Sequence, residues 1–476
     1  MNSTTSSTVP LCVDLDGTLV RTDMLIESCL MLIRQQPATI FKLPGWLLGG
    51  KANLKHQIAS RVDFSAATIP YNQDVVDYVR EARASRQTIL VTGSDQRIAD
   101  IVAEETELFD CVRGSDSAVN LTSKNKRDWL VGEFGENGFD YIGNDADDLS
   151  VWPSSRNALV VSPSNGIAKS DTVSFSHVFD AHKTQFRDFL SLLRVHQWSK
   201  NGLILVPFVL DQRFGDWSAT VAIMLAFLAM SLLASITYIF NDMLDLQADR
   251  LNETKAKRAL ASGRIGLFLG AKTMVVLAIA LLICMAFLPM QYNVVLLSYL
   301  CLTLLYSFYF KQAAILDVCV IAALHTLRVI AGTVAITATW SFWLLAFSMF
   351  IFFSLALAKR VAELMNLQKL GQDKTVGRDY HVADLPVLLA SGVSTGFLSV
   401  LIVALYINSE KVSVMYSTPE ILWLVCPVLL YWIGRLWMIT GRGEMHEDPI
   451  IFAIRDRVSF DAIGLMAVAV LAAKFI

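Results

Sequence analysis

Residues 238–263 read YIFNDMLDLQADRLNETKAKRALASG, where a long apolar run ends and at once presents Asp242, Asp245 and Asp249. Spacings of three and four residues put these acids on one helical face. Their mutual repulsion must be offset by positive charge, and a metal ion is the first candidate. The run before them is long enough to cross a bilayer, so the acids mark the end of a membrane helix.

Working outward, the 476-residue chain is 54% hydrophobic, yet its first third is not the source of that apolarity. Up to about Ser170 it reads as a soluble α/β domain. Beyond that point apolar runs of about 20 residues recur, the length of a transmembrane helix. We expect spans near residues 199–212, 217–240, 266–288, 291–310, 313–336, 340–358, 386–408, 418–436 and 458–476, nine in all. A net charge of −3 offers no basic patch for nucleic acid. Seven cysteines form no CxxC pair, and several lie inside apolar runs, so neither a disulfide nor a zinc site is expected.

The amino terminus, MNSTTSSTVP, lacks the charged start and apolar core of a signal peptide, so the first domain is expected to stay in the cytoplasm. Loops after the even-numbered spans hold Arg250, Lys255, Lys257, Arg258, Arg264, Lys311, Lys359, Arg360, Lys369, Lys374, Arg378, Arg435, Arg442, Arg455 and Arg457. The opposite loops hold little more than Arg213 and Lys411. The positive-inside rule therefore agrees that the acidic run faces the cytoplasm of an inner-membrane protein.

A midplane charge pattern would mark a transporter, but here charges gather at span ends. Asn241, Asp242, Asp245 and Asp249 form N-D-x-x-D-x-x-x-D. Hard carboxylate oxygens suit Mg2+, which takes substrate phosphates as further ligands. Lys255, Lys257 and Arg258 follow and could hold the rest of a diphosphate. With nine expected spans, this motif resembles the UbiA superfamily of intramembrane transferases. Within it the likeness is to the decaprenyl-phosphate phosphoribosyltransferase branch, carried also by "LRVHQWSKNGLILVP", "YSFYFKQAAILDVCVIAALHTLRVIAG", "LAKRVAEL" and "GEMHEDPIIFAIRDRVS".

That resemblance implies an all-α membrane bundle over residues 199–476 that uses Mg2+ on Asp242, Asp245 and Asp249 to activate a diphosphate. Prenyl-diphosphate users of the superfamily carry a second DxxxD after the sixth span; this chain has KRVAEL, with Lys359, Arg360 and Glu363. Two cations and one acid grip phosphate better than they hold a metal. The implied donor is 5-phosphoribosyl 1-diphosphate and the acceptor a polyprenyl phosphate. Lys200, Lys255, Arg258, Arg328, Lys359 and Arg360 are candidate phosphate holders, with Asn241 beside them and Glu363 a candidate metal or ribose ligand. Lys200 serves equally well as a headgroup anchor. Arg328 lies inside an apolar stretch where a charge needs a partner or a cavity. His325 reads equally as an interior histidine, and Asp456 with Arg457 equally as a structural pair.

Two other readings stand beside this one. One is a prenyltransferase joining a polyprenyl diphosphate to an aromatic or other small acceptor, and the other a membrane carrier or scaffold with a regulatory phosphatase-like domain.

In the first domain, apolar strands LCVDL, TILVTG, FDYIGN and ALVVSPS alternate with polar helical stretches, as in a parallel sheet. "VDLDGTLV" places Asp14 and Asp16 on the turn after a strand, both pointing the same way, with Gly17 allowing a tight turn. Paired carboxylates there can bind Mg2+, one acting as nucleophile and the other as acid or base. The stretch resembles the D-x-D-G-T signature of the haloacid dehalogenase superfamily. That likeness implies an α/β Rossmann-like phosphatase over residues 1–172 with a helical cap at about 24–85. It makes Thr92 a phosphate-contacting hydroxyl, Lys126 (or Lys124) the charge stabiliser and Asp148 (or Asp145) the further metal ligand. "LPGWLLGG" in the cap is expected to be buried cap core rather than a membrane contact, since it is too short to span. Residues 173–198 are expected to be linker and interfacial helix. Fusion of the two parts suggests that the phosphatase removes the 5-phosphate of the lipid-linked ribose, helped by tethering.

Overall fold

The alternation of apolar strands and polar helices builds a six-stranded parallel sheet of order β3-β2-β1-β4-β5-β6. Its strands are β1 (Leu11–Val13), β2 (Thr88–Asp95), β3 (Cys111–Ser115), β4 (Asp140–Gly143), β5 (Ala158–Val161) and β6 (Phe175–Phe179). This computed structural model describes residues 9–162, 167, 173–179, 184–375, 378–445 and 448–476. Within residues 173–198, expected to be linker and interfacial helix, Phe175–Phe179 instead pairs with β5 as the last strand of the sheet.

Side chains on β1 alternate between two cores, as a strand covered on both faces requires. Leu11 and Val13 join Val75, Val76 and Val79 on one side. Cys12 joins Val91, Leu130 and Trp152 on the other. The strand order reverses beside β1, so the carboxyl ends of β1 and β4 form the crevice where open α/β sheets place their ligands.

Four helices, α1 (Met24–Gln35), α2 (Leu43–Leu48), α3 (Lys51–Ala59) and α4 (Gln73–Arg83), lie between β1 and β2. Asp23 caps α1 by accepting the Ile26 amide at 2.9 Å. The cap region departs from expectation at "LPGWLLGG". None of α2 is buried, and Leu48 is 91% and Phe41 86% exposed. Six residues with Pro44 in the first turn and the Gly49–Gly50 pair beyond the end make a helix too short to bring both faces under cover.

After α5 (Gln96–Thr106), α6 (Ser123–Phe134) and α7 (Phe186–Leu192), eight helices among the described residues are long and apolar enough to cross a membrane. They are α8 (Trp217–Leu244), α9 (Leu267–Ala286), α10 (Met290–Phe308), α11 (Leu316–Ala335), α12 (Phe342–Lys369), α13 (Leu385–Ile407), α14 (Val425–Gly441) and α15 (Arg457–Phe475). This is an integral membrane protein. The expected span at 199–212 is instead a 3-10 segment, Val195–Ile204, followed by a six-residue helix, Leu205–Leu210. Ser199, Lys200, Asn201 and Gly202 interrupt its apolar run, and Pro207 withholds a backbone donor.

The chain forms two compact units, residues 1–194 with 238–276 and residues 195–237 with 277–476. In the second, α11 packs on α12, and α12 on α13. A Cβ on Gly332 of α11 would come within 2.0 Å of the Ile204 carbonyl, so only glycine admits the 3-10 segment there.

Candidate functional sites

The acidic run belongs to the first unit. α8 ends at Leu244, Asp245 occupies a turn, and a short helix, Leu246–Arg250, resumes beyond it. The break separates the acids that an unbroken helix would have aligned. Asp242 and Asp249 are buried and meet at Arg258, one of whose Nη1 hydrogens goes to Asp242 at 3.1 Å while the same nitrogen also donates to Asp249. Arg194 forks onto Asp242, its Nε donating at 3.2 Å. Lys255 stands 3.9 Å from Asp249. Asp245 turns elsewhere, 3.4 Å from Arg34 of α1.

The repulsion that opens the sequence reading is thus offset here by arginine and lysine. Among the described residues no three His, Cys, Asp or Glu side chains are gathered as a metal cage. The residues nevertheless fit Mg2+. One guanidinium nitrogen bridges two carboxylates from successive helices, a place a cation could take, and Mg2+ needs only one or two carboxylates when phosphates and water complete its shell. Asn241 is half-buried at the end of α8.

α1 also reaches this loop through a buried pair: Glu27 accepts two hydrogen bonds from Arg250, at 2.5 and 3.1 Å. Its other tie is to Thr22, whose hydroxyl donates at 2.9 Å. Arg194, Glu27 and Arg34 were not singled out from sequence, because each is distant along the chain or belongs to the other domain's pattern, whereas Lys255 and Arg258 were.

The second carboxylate site forms at the crevice of the sheet. Gly17 has φ +72°, and a Cβ there would lie 2.2 Å from Asn144, so the turn after β1 closes against the loop after β4. Lys126 is buried and donates to Asp14 at 2.8 Å and to Asp148 at 3.4 Å. Tyr141 donates to the same Asp148 oxygen at 2.7 Å. The other Asp148 oxygen accepts the amides of Asn144 and Asp145 at 2.9 and 3.2 Å. Asp145 and Lys124 are exposed, so Asp148 and Lys126 are the pair brought to Asp14. Asp16 accepts the Met24 amide and the Ser94 hydroxyl, each at 2.7 Å. Thr92 is fully buried and accepts the Ser94 amide at 3.0 Å.

Burial, with Asp148 and Asp16 adding to it against the pull of Lys126, pushes the Asp14 carboxyl up to about 7. Burial also pushes Asp16 up to about 6, aided by Asp23. Burial works against the Lys126 ammonium, but Asp14 and Asp148 hold it above its ordinary value. Two buried acids, Asp14 and Asp148, around one lysine, with the half-buried Asp16 nearby, leave uncompensated negative charge, which a divalent cation would relieve.

In the second unit the cationic candidates divide. Lys200 and Lys359 share one carboxylate, that of Asp448, at 3.0 and 3.2 Å. Burial pushes Lys200 down despite Asp448. Burial disfavours the Asp448 anion, yet Lys359 and Lys200 hold its carboxyl well below the usual range. Asp448 lies within the quoted EDPIIFAIRDR, but its acid neighbours there gave no spacing signal. Asp456 instead pairs with Arg435 at 2.7 Å and caps α15.

Arg328 is buried, donating to Tyr299 at 2.6 Å and to Asn201 and the Leu324 carbonyl at 2.9 Å. His325 Nδ1 lies 3.3 Å from its Nη1. Arg360 is buried against Asp317 at 2.6 Å and Glu363 at 2.5 Å. Glu363 also takes Arg378 at 3.3 Å. Arg360 and Glu363 are therefore engaged with each other, whereas among the described residues Lys200 and Lys359 share the carboxylate of Asp448 and Arg328 donates to Asn201 and Tyr299. An apolar cavity of about 330 Å3 in the same unit is lined by Trp343, Leu344, Phe347 and Val403 among others.

Comparison with known proteins places these features. Residues 206–455 match the model of the UbiA prenyltransferase family. "Uncharacterized protein y4nM" of Sinorhizobium fredii is 37% identical over 97% of this chain and 90% of its own length. "Decaprenyl-phosphate phosphoribosyltransferase" of Mycolicibacterium smegmatis is 32% identical over 38% of this chain and 58% of that protein. A solved UbiA homologue from Archaeoglobus fulgidus, bound to GPP and Mg2+, aligns with 60% of this chain and 99% of its own at 17% identity and a TM-score of 0.44. The family model covers more than half of the sequence, and the chain belongs to the UbiA prenyltransferase family.

Proposed function

We propose that this transferase moves 5-phosphoribosyl from phosphoribosyl diphosphate to a polyprenyl phosphate at the cytoplasmic membrane face, and that its N-terminal domain then removes the 5-phosphate. The observation that carries the reading is chemical. Where prenyl-diphosphate users would carry a second acidic motif, this chain has KRVAEL, and its Lys359 shares Asp448 with Lys200. Two lysines converging on one carboxylate favour a phosphate-bearing substrate. Likeness to a decaprenyl-phosphate phosphoribosyltransferase supports the same choice, and the apolar cavity suits a lipid chain.

In this mechanism the acceptor's phosphate oxygen forms a bond to C1 of the ribose as the C1–O bond to diphosphate breaks, and diphosphate leaves. Mg2+ bound at Asp242 and Asp249, with Asp245 available from the turn, would supply charge neutralisation for that leaving group. Arg258 and Lys255 hold its outer oxygens, and Asn241 orients it. Lys200, Lys359 and Arg328, in the second unit, are the further candidate phosphate holders. The acceptor is already an anion near neutral pH, so no strong base is required. Arg360 and Glu363 support Lys359 by fixing their part of α12.

At the second site Asp14 attacks the 5-phosphate. Asp16, whose carboxyl is raised to about 6, gives its proton to the departing ribose oxygen and later takes one from the water that hydrolyses the phosphoaspartate. Lys126 and Thr92 hold phosphoryl oxygens. Asp148 steadies Lys126 and serves as a further metal ligand.

Membranes containing the full chain, incubated with radiolabelled phosphoribosyl diphosphate and polyprenyl phosphate, are expected to yield lipid-extractable label. Prenylation of an aromatic acceptor, with no labelled lipid, would overturn the proposal.

A further inference from the structure

Beyond either reaction, we infer that the cap of the N-terminal domain rests in the headgroup boundary of the bilayer through Ile40, Phe41, Leu47 and Leu48. These side chains are 46, 86, 51 and 91% exposed. They come from two neighbouring short elements, the 3-10 turn Pro37–Phe41 and α2, which contact each other. An isolated exposed leucine needs no explanation, but four bulky apolar groups within nine residues, two of them almost wholly uncovered, do. Lys42 and Lys51, both exposed, flank them. Trp46 lies beneath the Arg61 guanidinium, 4.9 Å from its ring centroid. Apolar side chains rimmed by lysine, arginine and tryptophan are the composition of a surface that lies on a membrane.

The fold supplies the occupant. Gln36 alone separates the Pro37–Phe41 turn from α1. α1 is fastened to the end of a membrane-spanning helix: Arg34 pairs with Asp245, Glu27 with Arg250, and the Gln247 amide donates to the Met31 sulfur at 3.2 Å. The patch is thus tethered within a few residues of the point where α8 leaves the bilayer. Lipid is its nearest apolar partner, and the flanking lysines complement anionic headgroups. This contact would hold the cap at the surface from which a lipid-linked substrate must come, but it does not depend on which lipid that is.

The test uses spin labels on the full chain in phosphatidylcholine–phosphatidylglycerol nanodiscs, with Cys29, Cys111, Cys301 and Cys319 replaced by alanine. Phe41→Cys and Leu48→Cys carry the labels, with Arg83→Cys as a control on α4; Ile40→Cys and Leu47→Cys replace either variant that fails to fold. We expect oxygen collisions to exceed those of an aqueous nickel chelate at residues 41 and 48, reversing the sign of the logarithmic accessibility ratio found at residue 83. Two results would overturn the inference. One is the aqueous ratio at all three positions. The other is low access to both reagents with spin–spin broadening that unlabelled chain dilutes away, which would mean that a second copy covers the patch.

Discussion

Arg258 decides how the acidic run behaves. Its Nη1 bridges Asp242 and Asp249, both buried. Arg258→Ala leaves two buried carboxylates short of charge, a loss of about 3–5 kcal/mol where such a pair is broken. Because Mg2+ can take the vacated place, added Mg2+ should raise the melting temperature of Arg258→Ala more than that of the wild type. Equal Mg2+ shifts, read by thermal unfolding of the full chain, would remove these acids from the proposed metal site. At the crevice, the sign of the pH effect follows from Asp14 and Asp16. Their carboxyls rise from 3.8 to about 7 and about 6, so the folded state binds more protons than the unfolded one between those values. In EDTA, local stability is expected to be full below pH about 4 and to fall as pH rises to about 7, by at most ~1.4 kcal/mol per pH unit for each group. Hydrogen exchange of the β1 and β4 amides in the full chain measures this, and Asp14→Asn should flatten the profile. The DxDGT signature made Asp14 legible in the sequence. The choice of Lys126 over Lys124 and of Asp148 over Asp145 was not, because it turns on which side chain the fold buries.

At the scale of elements, α1 joins two functions that a linear reading keeps apart. Its amino-terminal Met24 amide binds Asp16, and its body carries Glu27 and Arg34 to the acidic run. The two ion pairs should differ sharply in weight. Glu27–Arg250 is buried on both sides, at 1 and 5% side-chain exposure, whereas Arg34–Asp245 is about one-third exposed. Glu27→Ala is expected to destabilise the contact by about 3–5 kcal/mol, and Arg34→Ala by less than about 1 kcal/mol. Exchange rates across α1 and Leu246–Arg250 distinguish them; equal effects would refute the ranking. Eight spans were legible because hydropathy over about 20 residues dictates a helix in lipid. The Val195–Ile204 segment was misread because its apolar residues mask Ser199, Lys200 and Asn201. Ser199 donates locally to the His196 carbonyl, whereas the other two find distant partners: Asn201 donates to Ser231 at 3.0 Å and Lys200 to Asp448. The break at Asp245 was equally hidden, since three- and four-residue spacing is compatible with a helix that continues.

For the whole molecule, the proposed union of a carboxylate phosphatase with a membrane transferase makes sense if one consumes the other's product, and the two proposed sites can be silenced one at a time. Asp14→Asn removes the nucleophile while retaining shape, so phosphatase turnover should fall by about a thousandfold or more. The transferase acids are untouched, and lipid-linked ribose 5-phosphate should accumulate in membranes supplied with phosphoribosyl diphosphate. Asp242→Asn removes one of the two acids joined by Arg258, so neither the phosphorylated lipid nor its dephosphorylated product should form. The phosphatase of that variant should still hydrolyse lipid-linked ribose 5-phosphate supplied from outside. Mass spectrometry of extracted lipids separates the outcomes. A dephosphorylated product from Asp14→Asn would detach the phosphatase from this sequence of reactions while leaving the transferase in place. Labelled lipid made by Asp242→Asn at the wild-type rate would instead remove the acidic run from the chemistry. Tethering predicts one more feature: in the wild type the intermediate should stay scarce even when transfer is fast, because each phosphatase is held at the membrane where the intermediate is made.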